Sequence, residues 1–259
     1  MKGRALILMY HIVDAPRSGQ ESKYCCLPGR FAEQMAWLGR THHPVGLDTL
    51  LDGLDGRVEL PENTVAVTFD DGFTRTFEHA LPILTRHRIP ATMFIVADRI
   101  GGDNDWMHRR GMPRRRLMDA GQIRDMHTAG ITIGSHTLTH PRLPECTPEI
   151  MRTEIADSKA SLEDMLSSPV THFAYPYGLY DDTARQLVEQ CGYHSACSTR
   201  SGFNNEQTDR YELRRIEVYG SDHLWQLRQK MKFGSNDASW SMPPKYYLQR
   251  ALSRLSRDN

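Results

Sequence analysis

Val65-Ala66-Val67-Thr68-Phe69-Asp70-Asp71-Gly72-Phe73 runs from apolar and β-branched residues straight into two carboxylates and a glycine. Five residues of this kind without polar alternation predict a strand buried on both faces. Its C-terminal edge then delivers a carboxylate pair. Successive strand side chains point to opposite faces, yet the bend that Gly72 permits can turn Asp70 and Asp71 toward one cavity. Like charges held so close disfavour joint ionisation unless a cation or donors sit between them. Asp-Asp-Gly is also ordinary turn chemistry, so the pair needs company before it means function.

Outward from this run the chain alternates strand-like and helix-like segments. Upstream lie a strand over 5–12 that carries Tyr10-His11, an irregular loop over 16–29, helical spacing over 31–39 and a helix over 47–54. Downstream, a helix over 74–88 is stopped by Pro90 before a strand over 91–96. Residues 98–117 form an insertion rich in arginine and poor in apolar periodicity. Asp119 and Gln122 suit a capping box, and Gly130 suits that helix's end before a strand over 131–134. Thr147-Pro148 start a helix to about 166, strands over 171–174 and 194–198 flank a helix closed by Gly192, and a strand over 213–218 leads into a helix over 224–231. Repeated βα units with short apolar strands predict a parallel sheet buried on both sides, and this many units favour a closed or nearly closed barrel. No glycine fingerprint for a dinucleotide or a P-loop follows any strand, which counts against a doubly wound sheet.

At 259 residues the chain suits one large domain with a full core. Lys+Arg and Asp+Glu both number 32, so no global field calls for nucleic acid as a partner. Five scattered cysteines, with Cys25 and Cys26 adjacent, suggest free thiols in a reducing compartment. The apolar run over 5–10 is too short for a secretory signal and no stretch has the length to span a bilayer, so the expected address is cytoplasmic. Residues 244–255 read as a basic amphipathic helix suited to a membrane surface or to packing across the barrel. The expected division is therefore a domain over 1–233 and an extension over 234–259.

In a parallel barrel, functional side chains gather at the C-terminal ends of strands. Three more stretches stand there. In Gly134-Ser-His-Thr-Leu-Thr-His140-Pro141, His136 and His140 have the spacing that puts two imidazoles on one side of a helical turn. Two such histidines plus one carboxylate make a three-ligand site with positions open to water and substrate. In Phe173-Ala-Tyr-Pro-Tyr-Gly178, Pro176 fixes the backbone and Gly178 allows a tight turn, which can aim the Tyr177 amide inward as a donor for an oxyanion. Leu8-Met-Tyr-His11 ends the first strand, where a buried structural histidine is the ordinary reading.

Thr68-Phe-Asp-Asp-Gly72, Ser135-His-Thr-Leu-Thr-His140 and Ala174-Tyr-Pro-Tyr-Gly178, in this order, resemble the polysaccharide deacetylases of carbohydrate esterase family 4, the NodB-like domain. The resemblance covers roughly residues 5–218. It implies a distorted (β/α)7 barrel and metal-dependent removal of N-acetyl groups from glycans. By it, Asp71, His136 and His140 hold the metal, Asp70 is the general base, and Pro176 and Tyr177 form the oxyanion motif that meets substrate. The ion implied is Zn, with Co, Ni or Fe as substitutes. The opening Leu8-Met-Tyr-His11 is similar to the poly-N-acetylglucosamine deacetylase branch, where this element is permuted to the front, and His11 is then the candidate acid.

Two departures stand out. Many members carry an arginine two residues before the motif proline, and here that position is Ala174, which leaves Arg214 or Arg215 as a substitute. No Leu-x-His occurs near the C-terminus, where much of the family keeps its acid. The expected partner is an N-acetylated sugar, with a lipid- or nucleotide-linked N-acetylhexosamine at the inner membrane face as one form, and peripheral membrane contact through the C-terminal segment. The alternatives are a small-molecule amidase of the same fold and a non-catalytic carbohydrate-binding descendant, against which an intact Asp70 argues. A non-haem iron oxygenase shares the ligand triad but normally sits on an all-β scaffold. Arg109, Arg110, Arg114, Arg115 and Arg116 are candidates for the rim of the site.

Overall fold

The structure is a computed structural model that describes residues 4–242 together with Pro244 and Tyr246, the side chain of Arg109 excepted. In chain order its elements are β1 (Leu6–Tyr10), β2 (Ile12–Val13), β3 (Cys25–Cys26), α1 (Pro28–Thr41), β4 (His43–Pro44), α2 (Leu47–Leu54), β5 (Thr64–Phe69), α3 (Thr74–His87), β6 (Ala91–Ile95), α4 (Ala120–Thr128), β7 (Thr132–Ser135), α5 (Pro148–Leu166), β8 (His172–Ala174), α6 (Asp182–Gln190), β9 (Ser195–Cys197), β10 (Ile216–Glu217) and α7 (Leu224–Phe233). Local chemistry sets several boundaries. Asp119 and Gln122 close a reciprocal capping box on α4, with hydrogen bonds of 2.9 and 3.1 Å. Thr147 caps α5 ahead of Pro148 in its first turn.

The strands pair in parallel in the order β10-β1-β5-β6-β7-β8-β9, with β4 on the start of β5. A further parallel bridge joins Cys197 to Leu213, just before β10, so the curled sheet nearly meets itself. This is the distorted (β/α)7 barrel expected from the sequence. Strand alternation divides its core in two. Leu8, Val67, Met93, Ile133, Phe173 and Ala196 face the helices in an outer layer. Ile7, Ala66, Phe94, Ala174, Cys197 and Leu213 face inward, where Leu47, Leu50, Leu51 and Leu54 of α2 pack on them. Because α2 follows β4 at the start of β5, it stops the barrel's lower end and leaves the strand C-termini free to build a site.

Three expectations need correction. The strand over 5–12 breaks at His11, and Ile12–Val13 pairs instead with Cys25–Cys26 inside the stretch read as an irregular loop. That loop also yields its end to α1, which begins at Pro28 because proline suits a first helical turn. The strand over 213–218 pairs with β1 only at Ile216–Glu217. Among the described residues no helix is long and apolar enough to cross a membrane. Apart from Pro244 and Tyr246, the amphipathic segment over 244–255 lies outside the described residues.

Gly134 shows how tightly the inner layer is filled. A Cβ there would stand 2.5 Å from the Phe94 ring and 2.9 Å from the His172 carbonyl oxygen, and a carbonyl cannot rotate away. Gly134→Ala is expected to cost roughly 1–3 kcal/mol through overpacking, measured as a lower midpoint of urea unfolding. An unchanged midpoint would show that the barrel interior can relax.

Candidate active site

β5 ends at Phe69, and the next two residues part company. Asp70 continues the inward parity of Ala66 and Thr68, and Asp71 enters the left-handed region at φ +77°, followed by Gly72 at +82°. The bend assigned to Gly72 therefore begins one residue earlier, on an aspartate, and it sends the two carboxylates to different partners in one cavity.

Asp70 meets Arg215. The guanidinium donates to Oδ1 at 2.7 Å and to Oδ2 at 2.8 Å, a two-pronged contact with both side chains buried. Its remaining donors reach the Ser198 carbonyl at 2.9 Å and Thr68 Oγ1 at 3.3 Å. Burial pushes the Asp70 carboxyl upward, but the charge of Arg215, helped by His136 and His11, outweighs it and holds the group below its ordinary value. The sequence left Arg214 and Arg215 as equal substitutes for the arginine missing at Ala174. The structure selects Arg215, which shares inward parity with Leu213, and leaves Arg214 exposed.

Asp71 faces His136 and His140, whose Nε2 atoms stand 3.6 and 3.4 Å from its Oδ1. One donor atom from each residue lies within 4.8 Å of the others, and all three residues are buried. Burial lifts the Asp71 carboxyl, yet contact with His140 and the field of His11 and His136 bring it down to about 2. Burial lowers His136 to about 4, and its Nδ1 lies 2.7 Å from the Ala174 carbonyl, so that nitrogen carries the proton and Nε2 offers its lone pair. A neutral imidazole and an ionised carboxylate are ligand-ready forms. Donors at ~2.1 Å in a tetrahedral arrangement would stand ~3.4 Å apart, which fits the 3.6 and 3.4 Å spacings of the two imidazoles from Asp71. His140 Nδ1, on the ring edge away from Asp71, is buried without a hydrogen-bond partner among the described residues, so Nε2 is the nitrogen that the triad uses. The residues present fit a divalent cation.

The histidines do not meet on a helical turn, as their spacing suggested. Residues 136–140 form an irregular loop in which Thr137 (φ +69°) and His140 (φ +65°) are left-handed. Thr137 Oγ1 accepts from the His140 amide at 3.0 Å and secures the second bend.

Tyr177 follows Pro176 with φ +58° and sets its ring edge-on to His140 at 4.6 Å. His11 lines the same cavity of about 380 Å³, opposite the Tyr24 ring at 5.2 Å. His223, exposed at the start of α7, does not line this cavity. The arginine insertion splits: Arg110 stacks over Tyr177 at 4.6 Å on the cavity wall, whereas Arg115 is buried against Glu21 and Asp14. Arg114 and Arg116 line a separate cavity.

Trp106 was not singled out by the sequence, yet its ring stacks on His140 at 4.7 Å. It comes from an insertion without periodicity, so no pattern marked it.

A family model for polysaccharide deacetylase matches residues 57–196, more than half of the chain. A protein of Bacillus subtilis (strain 168) named as a polysaccharide deacetylase, YxkH, is 30% identical over 217 residues, which cover 82% of this chain and 70% of that one. The poly-beta-1,6-N-acetyl-D-glucosamine N-deacetylase of Staphylococcus aureus (strain MRSA252) is 25% identical over 213 residues, 78% of this chain and 70% of the relative. Among solved structures, the Streptococcus pyogenes deacetylase PplD in complex with acetate matches with a TM-score of 0.77 at 24% identity, over 89% of this chain and 99% of that chain, a likeness of fold. IcaB from Ammonifex degensii matches with a TM-score of 0.73 at 25% identity, over 84% and 92%.

Removing Arg215 would strand the buried carboxylate. Arg215→Met is expected to lose about 3–5 kcal/mol of stability near neutral pH. Because the folded Asp70 is held below its unfolded value of about 3.9, its contribution is complete above that value and fades as the pH falls through the folded one. The gap between wild type and variant should therefore narrow on acidification in urea melts from pH 7 to pH 3. A gap that widened toward acid would contradict the pairing.

Proposed function

The chain belongs to the polysaccharide deacetylase family, and on that premise we propose that it is a metal-dependent hydrolase that removes N-acetyl groups from an N-acetylhexosamine-containing glycan or glycolipid. The observation that carries the reading is the convergence of Asp71, His136 and His140 within 4.8 Å, in a cavity also lined by Asp70, His11 and Tyr177. Two imidazoles and a carboxylate suit Zn²⁺, and Co, Ni or Fe(II) as well. A divalent cation held there would polarise the acetyl carbonyl and bring the pKa of a coordinated water from about 15.7 toward ~7.

The other roles belong to the protein. Asp70 takes the proton of the attacking water, and Arg215 keeps that carboxylate ionised and fixed in direction. The Tyr177 main-chain N–H meets the oxyanion, a kind of donor whose loss typically costs ~10² to 10³ in rate. His11 protonates the leaving sugar nitrogen, which cannot depart as an anion near neutral pH. The products are acetate and a free amino sugar. The Staphylococcus aureus relative, named for a poly-N-acetylglucosamine, supports a glycan substrate over a small amide.

The two aspartates separate experimentally. Asp70→Asn should keep full metal content while acetate release falls by two orders of magnitude or more, whereas Asp71→Asn should lose the metal itself on dialysis. The reverse pattern would mean that the roles are exchanged.

His11→Ala should retain fold and metal and lose acetamide turnover steeply, with far smaller loss on activated aryl acetates, whose phenolate leaves without a proton. Equal losses on both substrates would make His11 structural.

A further inference from the structure

The two histidines of the site are held differently. His136 is tied at its imidazole to the Ala174 carbonyl and at its amide to the Ile95 carbonyl, 2.8 Å away. The His140 ring has Trp106 and Tyr177 against it but no hydrogen bond at Nδ1 among the described residues. Its position comes from its backbone, through the hydrogen bond that its main-chain N–H donates to Thr137 Oγ1 and the course of the loop between them. That course passes through two left-handed non-glycine residues, a state that persists only where the surroundings over-determine it.

The surroundings include one carboxylate. Glu154, in the interior of α5 and only 7% exposed, accepts the Leu138 and Thr139 amides at Oε2, each at 2.9 Å. Its Oε1 accepts the Thr139 hydroxyl at 2.6 Å. One helical turn further on, Ser158 Oγ meets Ser135 Oγ at 2.7 Å, so the same face of α5 grips the base and the crest of the loop. On the other side, the Thr137 and Leu138 carbonyls accept from the Ala97 and Asp98 amides. The loop is clasped from both flanks, and the α5 flank depends chiefly on Glu154.

We infer that Glu154 is a positioning residue for the metal site, which sets His140 relative to Asp71 by holding the Leu138–Thr139 backbone. The inference rests on the metal-site reading given above. Glu154 is not among the residues that line the cavity, and its hydrogen bonds go to Leu138 and Thr139, so it acts through the loop. Its removal should act on the same ligand as the removal of His140. Two buried amides would also lose their acceptor, which forces the loop to find another course.

The test is Zn²⁺ and Co²⁺ affinity by chelator competition on the purified full chain, with near-ultraviolet circular dichroism as the check on folding. Glu154→Ala should weaken binding by about 10-fold or more, the scale typical of outer-shell partners, and change the Co²⁺ d–d absorption. Glu154→Gln, which keeps an acceptor for the two amides, should retain most of the affinity and the wild-type spectrum. In a double-mutant cycle, Glu154→Ala added to His140→Ala should cause little further loss, because both act on one ligand. Full additivity, or wild-type affinity and spectrum in Glu154→Ala, would overturn the inference. If Glu154→Ala fails to fold, Thr139→Val, which removes the hydroxyl arm alone, carries the test: weaker binding supports the role and unchanged binding overturns it. A wild-type chain that binds neither ion would instead sink the metal-site reading itself, before any variant is compared.

Discussion

A carboxylate and a guanidinium buried side by side at the upper end of a barrel constrain everything around them. Asp70 and Arg215 are both shut off from water, so each must be met by charge and by hydrogen bonds, and their geometry leaves little freedom. Arg215 spends its donors on Asp70, Thr68 and the Ser198 carbonyl. Those partners are Thr68 on β5, Asp70 just after it and Ser198 just after β9, so Arg215, just before β10, ties the sheet's last strand to a central one. The guanidinium also lies over the inward-facing Phe94 ring, 5.6 Å from its centre. The ion pair is thus both a link in the fold and the support of the proposed base.

Around this support, the site is assembled from bends that favour glycine or asparagine and are here made of other residues. Among the described residues, Asp71, Thr137, His140 and Tyr177 are four of the seven non-glycine positions with positive φ; three of them line one cavity, and Thr137 lies in the loop that carries His140 to it. Backbone of this kind costs energy and is kept where the neighbours insist on it. Each bend redirects a functional group: Asp71 away from Asp70, His140 back toward Asp71, Tyr177 across His140. Parallel strand ends bring the loops together, and local strain gives each side chain its aim.

Much of this was legible in the sequence, for identifiable reasons. Apolar runs ending in polar residues located the strands, and caps such as Asp119-Gln122 and Thr147-Pro148 fixed helix starts to the residue. The convergence of Asp71, His136 and His140 was readable because they stand at or shortly after strand ends, where a parallel barrel gathers its loops. Three things were not readable. Arg214 and Arg215 are adjacent arginines, and only the register of Leu8 with Ile216 decides which faces inward. The short pairing of β2 with β3 depends on contacts between segments with no periodicity of their own. Trp106 and Glu154 act on His140 from outside the motifs: one from an aperiodic insertion, the other from a helix whose amphipathic pattern gives a buried glutamate no distinguishing mark.

The central claim is that this cavity hydrolyses N-acetyl groups with a cation held by Asp71, His136 and His140. The most direct measurement is acetate release from a panel of N-acetylated glycans and small amides, before chelation, after it, and during stepwise return of Zn²⁺. The account predicts activity on glycans that disappears with chelator and returns to a plateau near one equivalent of metal per chain. Acetate release that persists undiminished in the metal-stripped protein would contradict it.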